Sequence, residues 1–308
     1  MSTYRIVSMD GGGIRGIIST ILLQRLSAEP SLSGWLEKVD LLAGTSTGGL
    51  LALGIAKPLD LGVIRDLYET KGKEIFDASW LRDLRDLDGL AGAKYDIANL
   101  EGELQGMFGD TTLAQLSKKV LVTAFDLDNH SPDDSRRTWK PKLFHNFPGT
   151  DSDGDQLAYK VGLYTAAAPT YFPSVDGYID GGVFATNPAM CAFAQTQDPR
   201  IGARTPVGDV VLFSLGTGIS LAYIAGNSLD WGYAQWAKPL VSLMLDGVAG
   251  VADYQCKQLL GSSYCRLAPV FPPATSIPMD AVDRIPEMIA FAGQVDLGPT
   301  IEWLKAHW

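Results

Sequence analysis

The chain has 308 residues, of which 46% are hydrophobic and 19% charged, so its composition is that of a globular protein long enough to bury a large core. The net charge of −10 argues against general electrostatic attraction to nucleic acid or to anionic lipid headgroups. The three cysteines, Cys191, Cys256 and Cys265, are odd in number and lack a C-x-x-C spacing, which indicates neither a disulfide framework nor a zinc site.

The N-terminus and the most apolar window carry no targeting or membrane signal. The chain enters a strand-like run at once, without the basic and long apolar regions of a signal peptide. The window from Leu41 to Ala56 is interrupted by glycines and is shorter than the roughly 20 residues of a spanning helix. We therefore expect a cytoplasmic protein with reduced thiols and no transmembrane segment, and secretion by a signal-independent apparatus stays open.

Two strand-to-helix units open the chain. Residues Tyr4 to Met9 alternate toward β-branched and apolar side chains and predict a strand, and Ile14 to Glu29 has apolar residues at helical spacing. A second unit follows, with a strand over Val39 to Gly44 and a helix over Leu50 to Ala56. A glycine-rich turn separates strand from helix in both units, and we expect the two turns to lie at one edge of a parallel sheet.

Strands and helices continue to alternate, which predicts an α/β fold with three layers. Further strands are predicted over Val120–Phe125, Lys142–Phe147 and Val210–Leu215, and helices over Leu61–Lys73, Leu157–Ala167, Pro188–Thr196 and, packing on the sheet, within Leu229–Leu260. Residues 75–108 are a candidate cap over a pocket, and 126–155 are typical of an exposed loop. We expect a single domain over 1–308, with a motif-bearing core at about 4–218 and a C-terminal helical part at about 219–308 packing on it.

The second glycine-rich turn has the pattern of a nucleophile elbow. Its sequence GTSTG, from Gly44 to Gly48, matches G-x-S-x-G between a predicted strand and a predicted helix. The two glycines allow a sharp turn that pushes the hydroxyl of Ser46 above the end of the sheet. We therefore predict that Ser46 is a nucleophile.

The first glycine-rich turn, DGGGIRG, is suited to an oxyanion hole. A nucleophilic serine needs donors already in place for the developing oxyanion, and glycine amides near a helix N-terminus supply them. We predict that the amides of Gly11, Gly12 and Gly13 receive an acyl carbonyl, with Arg15 as a helper.

The same turn also satisfies the dinucleotide pattern G-x-G-x-x-G, through Gly11, Gly13 and Gly16. A dinucleotide site needs an acidic residue about 20 positions further on, at the end of the next strand. Asp40 stands near the start of that strand instead, which fits poorly. An oxidoreductase is therefore the weakest of the alternatives.

The serine needs a base, and the sequence holds only three histidines, His130, His145 and His307. None stands in a loop after a late strand, where an α/β-hydrolase keeps its triad histidine, so a Ser-His-Asp triad is disfavoured. Asp180, between a strand-like GYI and two glycines, is the remaining candidate. The ordinary pKa of an aspartate, about 3.9, makes it a weak base, so partial burial and a strong oxyanion hole would have to compensate.

Three motifs in this order, DGGGIRG, GTSTGG and DGG, resemble the patatin-like phospholipase family, and AAPTYFP before Asp180 and NP after it are similar to the family as well. The resemblance covers about Tyr4 to Gly218, and the third motif has Gly182 where many members have alanine. It implies a three-layer α/β/α patatin-like fold with a mostly parallel central sheet, related to but distinct from the α/β-hydrolase fold. It also implies a Ser46–Asp180 dyad, an oxyanion hole from Gly12 and Gly13 aided by Arg15, and no metal or organic cofactor.

Motifs and resemblance together predict a lipid acyl hydrolase that cleaves carboxylic esters of phospholipids or acylglycerols through an acyl-enzyme intermediate. The substrate would be a lipid or acyl ester met in transient contact with a membrane or lipid aggregate, and no nucleic-acid partner is expected. Two alternatives stay open, a partner- or signal-activated phospholipase effector and a non-catalytic lipid-binding protein on the same fold. Acyl length, headgroup and oligomeric state do not follow from the motifs.

Overall fold

The computed structural model describes residues 3–76, 93–226 and 230–308. Within these ranges seven strands form one sheet in the order β4-β3-β2-β1-β6-β7, and β5 pairs with β3. The strands are β1 Tyr4–Met9, β2 Leu41–Thr45, β3 Lys119–Asp126, β4 Lys140–His145, β5 Tyr178–Asp180, β6 Val210–Leu215 and β7 Tyr264–Leu267. Strands β7, β6, β1, β2 and β3 run parallel, and β4 and β5 run antiparallel to β3.

Helices of the described ranges surround the sheet. They are α1 Gly16–Ser27, α2 Thr47–Ala56, α3 Leu61–Glu69, α4 Gly72–Ile75, α5 Ala98–Phe108, α6 Ala158–Ala166, α7 Gly182–Ala185, α8 Ala189–Gln195, α9 Tyr233–Leu260, α10 Ile285–Gln294 and α11 Gly298–His307. None of these helices combines the length and the apolar character needed to cross a bilayer.

Both faces of the sheet are buried. On β1, Val7 packs in a core with α1 and α2, whereas its neighbour Ile6 packs in a second core with α8 and the end of α9. Successive strand side chains point to opposite faces, so a sheet covered on both sides needs nearly continuous apolar strands. The mostly parallel sheet between two helical layers confirms the predicted α/β fold class.

Strand β3 has two successive partners along one of its edges. Strand β2 pairs with its first part, where Thr45 lies opposite Thr123. Antiparallel β5 pairs with the remainder, where Asp180 lies opposite the next residue, Ala124. Because β4 occupies the other edge throughout this stretch, β5 enters the sheet where β2 leaves it. The register therefore brings the end of β5 to the turn that follows β2.

Several predicted elements differ in detail from the structure. The helix predicted from Leu50 begins at Thr47, immediately after Ser46. The helix predicted over Leu61–Lys73 is divided into α3 and α4, with Thr70 and Gly72, both weak helix formers, near the break. The candidate cap at 75–108 is described only in part: α5 forms its end, and residues 77–92 lie outside the described ranges.

The C-terminal part differs from the helical layer that was expected. Residues Tyr264–Leu267 form β7, which extends the central sheet beside β6 and was not predicted. Helix α9 packs on the sheet through its end, where Ala252, Cys256 and Leu260 are buried. The helix predicted to pack on the sheet within Leu229–Leu260 thus makes this contact through its end, whereas its first half exposes apolar side chains to solvent.

Candidate active site

Ser46 occupies a sharp turn between β2 and α2. Its φ of 54° and ψ of −126° lie outside the regions that a serine ordinarily adopts, which is the strained geometry of a nucleophile elbow. Two close backbone approaches require the glycines on either side. A Cβ on Gly44 would lie 2.1 Å from the carbonyl oxygen of Gly48, and a Cβ on Gly48 would lie 2.1 Å from that of Met9.

Hydrogen bonds fix the serine turn from several sides. The Ser46 N–H donates to Thr165 Oγ1 at 2.7 Å, and the Ser46 carbonyl accepts from Leu50 N in the first turn of α2 at 3.1 Å. The preceding Thr45 hydroxyl hydrogen-bonds Thr123 Oγ1 at 2.7 Å. The hydroxyl of Ser46 thus projects from a rigid turn at the N-terminus of a buried helix, where the helix dipole favours negative charge.

Two amides of the glycine loop after β1 have no hydrogen-bond partner in the part of the protein that the structure describes. The Gly11 N–H donates to the Thr186 carbonyl at 2.9 Å, so this amide is already engaged and cannot serve the oxyanion hole predicted for it. The amides of Gly12 and Gly13 donate no hydrogen bond to any of the described residues. Gly13 has a φ of +58°, which a residue with a side chain rarely adopts, and this conformation turns the loop into the following helix.

A buried ion pair holds the start of this loop. Arg266 of β7 donates from Nη1 to Asp10 Oδ1 at 3.1 Å and from Nη2 to Asp10 Oδ2 at 2.6 Å. The same Nη1 also donates to Ser214 Oγ on β6 at 2.8 Å. Both charged side chains are largely removed from water. The two parallel bonds make this a bidentate pair, which has a well-defined geometry. It ties the residue before the glycines to two strands of the sheet.

Asp180 stands at the end of β5 with its carboxyl group buried. Its backbone N–H donates to the Ala167 carbonyl at 2.9 Å, and its Oδ1 accepts from Gly182 N–H at 2.7 Å. Burial raises the pKa of Asp180 to about 6, although hydrogen bonds from the Ser46 side chain and the Gly182 amide lower it in part. The carboxylate is therefore a stronger base than an aspartate in water.

Arg15 brings a cation to the same place. Its Nε donates to the Gly12 carbonyl at 3.4 Å, and burial lowers the pKa of its guanidinium, against the opposing effects of Asp246 and Asp10. Within the described ranges no carboxylate lies within ion-pair distance of Arg15. Among the described residues its charge therefore has no direct carboxylate partner, and Arg15 lines the cavity of the site.

One cavity of about 510 Å³ joins these groups. Ser46, Asp180, Gly12, Gly13 and Arg15 all line it. The rest of the wall is largely apolar and includes Leu50, Leu67, Ile75, Phe76, Leu100 and Phe172. A mostly apolar cavity with a few convergent polar groups is typical of a small-molecule site.

None of the three histidines, all of which are described, lines this cavity. His145 is buried at the end of antiparallel β4 and lies opposite Leu121, near the start of β3. It therefore lies at the end of the strands away from Ser46. His130 is exposed in the loop after β3. His307 lies on α11, where its Nδ1 is within hydrogen-bond distance of the Trp303 carbonyl. The structure thus brings no histidine to Ser46.

The acidic residue that a dinucleotide site would need is also misplaced. Asp40 precedes β2, and its carboxylate accepts from the Arg5 N–H at 2.7 Å at the start of β1. The glycine loop lies at the other end of these parallel strands. The dinucleotide interpretation therefore has no ribose partner at this position.

Comparison with known proteins identifies the family. Residues 7–193 match the family model described as patatin-like phospholipase, which covers more than half of the chain. The chain belongs to the patatin-like phospholipase family. A patatin-like relative from Pseudomonas aeruginosa named cGAMP-activated phospholipase is 30% identical over 295 residues, covering 92% of this chain and 83% of that protein.

Two further comparisons place this patatin-like chain among more distant proteins. Protein teg of Priestia megaterium is 26% identical over 336 residues and covers 100% of both chains. The crystal structure of VipD from Legionella pneumophila covers 100% of this chain and 67% of its own, with a TM-score of 0.46 and 14% identity.

Sequence reasoning missed several residues that shape this patatin-like site. The Thr165 hydroxyl on α6 accepts a hydrogen bond from the Ser46 amide, and the Thr186 carbonyl accepts one from the Gly11 amide. Arg266 binds Asp10, which lies 256 positions away in the sequence. No local pattern marks any of the three, because each acts through a contact that only the folded sheet creates.

Replacing Arg266 should reveal how much the loop depends on its ion pair. Arg266→Met leaves the Asp10 carboxyl buried without its partner, and we expect the free energy of unfolding to fall by about 3 to 5 kcal/mol. Denaturant unfolding followed by circular dichroism measures the change. Asp10→Asn combined with Arg266→Met removes the orphaned charge and should recover much of the loss.

Arg200→Met is the matched control, since the Arg200 side chain is 66% exposed and pairs with Asp198 and Asp151. It should change the free energy of unfolding far less than Arg266→Met, because exposed pairs contribute little. Equal losses in the two variants would contradict a special contribution of the buried pair.

The raised pKa of Asp180 also predicts a pH dependence of stability. The folded protein binds this proton more tightly than the unfolded chain, so raising the pH from about 4 to about 7 removes about 2 kcal/mol of stability through this group. Asp180→Asn has no proton to lose, so the variant should gain stability relative to the wild type over this range. Parallel unfolding curves at each pH test this, and a constant difference would mean that the pKa is not raised.

Proposed function

We propose that this protein hydrolyses carboxylic ester bonds of lipids through a Ser46–Asp180 dyad and an acyl-enzyme intermediate. The observation that carries the proposal is the convergence, in one apolar cavity, of an elbow serine, a buried carboxyl group and two glycine amides that donate to none of the described residues. Membership of a phospholipase family supports lipid as the substrate class. The absence of a histidine from the lining residues favours a dyad over a triad.

In the proposed first step the carboxylate of Asp180 takes the proton of Ser46 Oγ while this oxygen bonds to the ester carbonyl carbon. The carbonyl π electrons move to the carbonyl oxygen, which becomes an oxyanion. When the intermediate collapses, the bond from carbon to the leaving oxygen breaks, and Asp180 gives its proton to the departing alcohol. The acyl group then remains on Ser46 as an ester.

In the second step Asp180 takes a proton from water, and the water oxygen attacks the acyl carbon. Collapse of this intermediate breaks the bond between carbon and Ser46 Oγ, which regains the proton, and the fatty acid leaves. The same carboxyl group thus acts as base and acid in each half of the reaction, which requires a pKa near the working pH.

The oxyanion would be stabilised by the amides of Gly12 and Gly13. Donors held by a rigid loop need no reorganisation when the charge develops, and a largely apolar cavity strengthens their effect. The cation of Arg15, which has no direct carboxylate partner among the described residues, adds positive potential at the same wall. The retained amide donors also argue against the alternative of a lipid-binding protein without catalysis.

Substitution of the dyad tests the proposal. The enzyme would be assayed on a soluble p-nitrophenyl ester and on a phospholipid with two distinguishable acyl chains. Ser46→Ala and Asp180→Asn should each lower kcat/KM by at least about a thousandfold, because each removes a group that acts as part of one unit. The identity of the released fatty acid then assigns the ester position that is cleaved.

His145→Ala is the control for a histidine base, since His145 lies beside the start of β3, at the end of the strands away from Ser46. It should keep kcat/KM within about twofold once its fold is verified by circular dichroism. Inactivity of this variant alone, with Asp180→Asn still active, would overturn the dyad.

The pH profile of the reaction tests the assignment of the base. Asp180 must be ionised to accept the proton, and burial raises its pKa to about 6. We expect kcat/KM on the soluble ester to rise with pH through an inflection at about 6 and to be nearly constant above about pH 7. An acidic limb with its inflection near 4 would show that the base is a carboxylate in an ordinary environment.

A ligand-activated form of the same reaction is the second candidate. It is favoured by the relative from Pseudomonas aeruginosa that is named a cGAMP-activated phospholipase. If the folded wild type does not hydrolyse either ester alone, the assay is repeated with cGAMP. Turnover only with the nucleotide would favour an activated effector, and turnover without it a constitutive hydrolase.

A further inference from the structure

Exposed large apolar side chains are concentrated in two segments after β6. Of the fifteen such side chains within the described ranges, seven lie on α9 and three lie on 219–223. Another, Val270, forms a β-bridge with Ile219. Monomeric proteins seldom expose contiguous apolar patches of this kind unless the patch has a partner. We call the part nearest the cavity the apolar rim, which consists of Ile219, Leu221, Tyr223, Leu240, Val241, Leu243 and Met244.

The exposed side chains of α9 form a stripe on the face turned away from the protein. Leu240, Leu243, Val251 and Tyr254 recur at spacings of three, eight and three residues, which places them on one side of a helix. The buried Ala252 and Cys256 lie on the opposite side. The stripe is therefore not part of the packing between α9 and the sheet.

Both segments of the rim border the proposed active site. Val241 and Met244 are more than half exposed and also line the cavity that holds Ser46. Along 219–223 the side chains alternate: Ser220 and Ala222 line the cavity, whereas Leu221 and Tyr223 are exposed, Tyr223 to 89%. The apolar surface is thus continuous with the wall of the cavity.

We propose that the apolar rim docks the protein on the surface of a zwitterionic phospholipid bilayer, so that a lipid passes from the bilayer along the rim into the cavity. This inference rests on the proposed lipid hydrolysis and adds the surface from which the substrate is taken. An aromatic side chain with a polar tip, such as Tyr223, suits the boundary between headgroups and acyl chains.

The charges indicate a zwitterionic rather than an anionic surface. Between Leu240 and Gly250 the sequence has one charged residue, Asp246, and the whole chain carries a net charge of −10. An acidic protein gains nothing from the negative potential of anionic lipids, so docking would depend on transfer of apolar side chains from water. Binding should therefore change little with ionic strength.

The position of the rim also favours a lipid surface over a second copy of the chain. Val241 and Met244 belong both to the rim and to the wall of the cavity. A second copy seated there would cover the side from which an amphiphilic ester enters. A bilayer at the same place supplies the substrate instead.

The test uses Leu240→Glu combined with Leu243→Glu, since neither residue lines the cavity. Binding to vesicles of pure phosphatidylcholine is measured by flotation, and hydrolysis is measured on the same vesicles and on the soluble p-nitrophenyl ester. Removing a leucine from the bilayer takes away more binding free energy than corresponds to a tenfold change in affinity. Vesicle binding and vesicle hydrolysis should therefore fall at least about tenfold. Hydrolysis of the soluble ester should stay within about twofold, because the dyad is untouched.

The matched control is Val63→Glu combined with Val207→Glu. These valines are 48% and 44% exposed, against 45% and 46% for the two leucines, and neither lines the cavity. Val207 precedes β6 and so lies at the amino ends of the parallel strands, whereas the site lies at their carboxyl ends. The control adds the same two charges and should bind and hydrolyse vesicles like the wild type.

Each outcome separates the docking surface from the reaction. Undiminished vesicle binding by the leucine variant would overturn the docking proposal even if hydrolysis is normal. A change from dimer to monomer in sedimentation, with vesicle binding unchanged, would overturn it in favour of a second copy on the rim. If the wild type binds vesicles through the rim but hydrolyses neither substrate, the docking surface stands and the proposed function fails.

Discussion

The shared edge of strand β3 is the constraint on which the candidate site depends. Strand β2 pairs with β3 as far as Thr123, and β5 takes over at Ala124 from the opposite direction. The turn that leaves β2 therefore meets the end of β5, and this brings Ser46 and Asp180 together from positions 134 residues apart in sequence. An antiparallel strand of only three residues thus carries Asp180 to the turn that holds Ser46.

In the proposed mechanism, burial of Asp180 supplies the basicity of the site, and the same burial is unfavourable for stability. The carboxyl group of Asp180 receives few hydrogen bonds, so removal from water raises its pKa toward neutrality and makes it a better base. The strained backbone of Ser46 is held by hydrogen bonds to neighbouring elements rather than by its own conformational preference. The bidentate pair of Asp10 and Arg266 provides the rigidity beside the glycine amides.

The sequence predicted those features that are encoded locally. The strands over Tyr4–Met9 and Val210–Leu215 coincide with the predicted ranges, and the three motifs led to the family. Features that depend on distant contacts were not predicted. Strand β7 has only four residues, the Gly11 amide is engaged by the Thr186 carbonyl, and the apolar face of α9 looks like core in sequence although it is exposed. Periodicity indicates which side chains share a face, but the fold decides what covers that face.

The most direct test of the account is covalent trapping of the nucleophile. The protein would be treated with a fluorophosphonate that carries an alkyl chain, digested, and analysed by peptide mass spectrometry. The proposed dyad predicts one adduct, on Ser46, that forms more slowly in Asp180→Asn and more slowly in the wild type as the pH falls below about 6. An adduct on another residue, or labelling of Ser46 at the same rate with and without the carboxylate of Asp180, would contradict it.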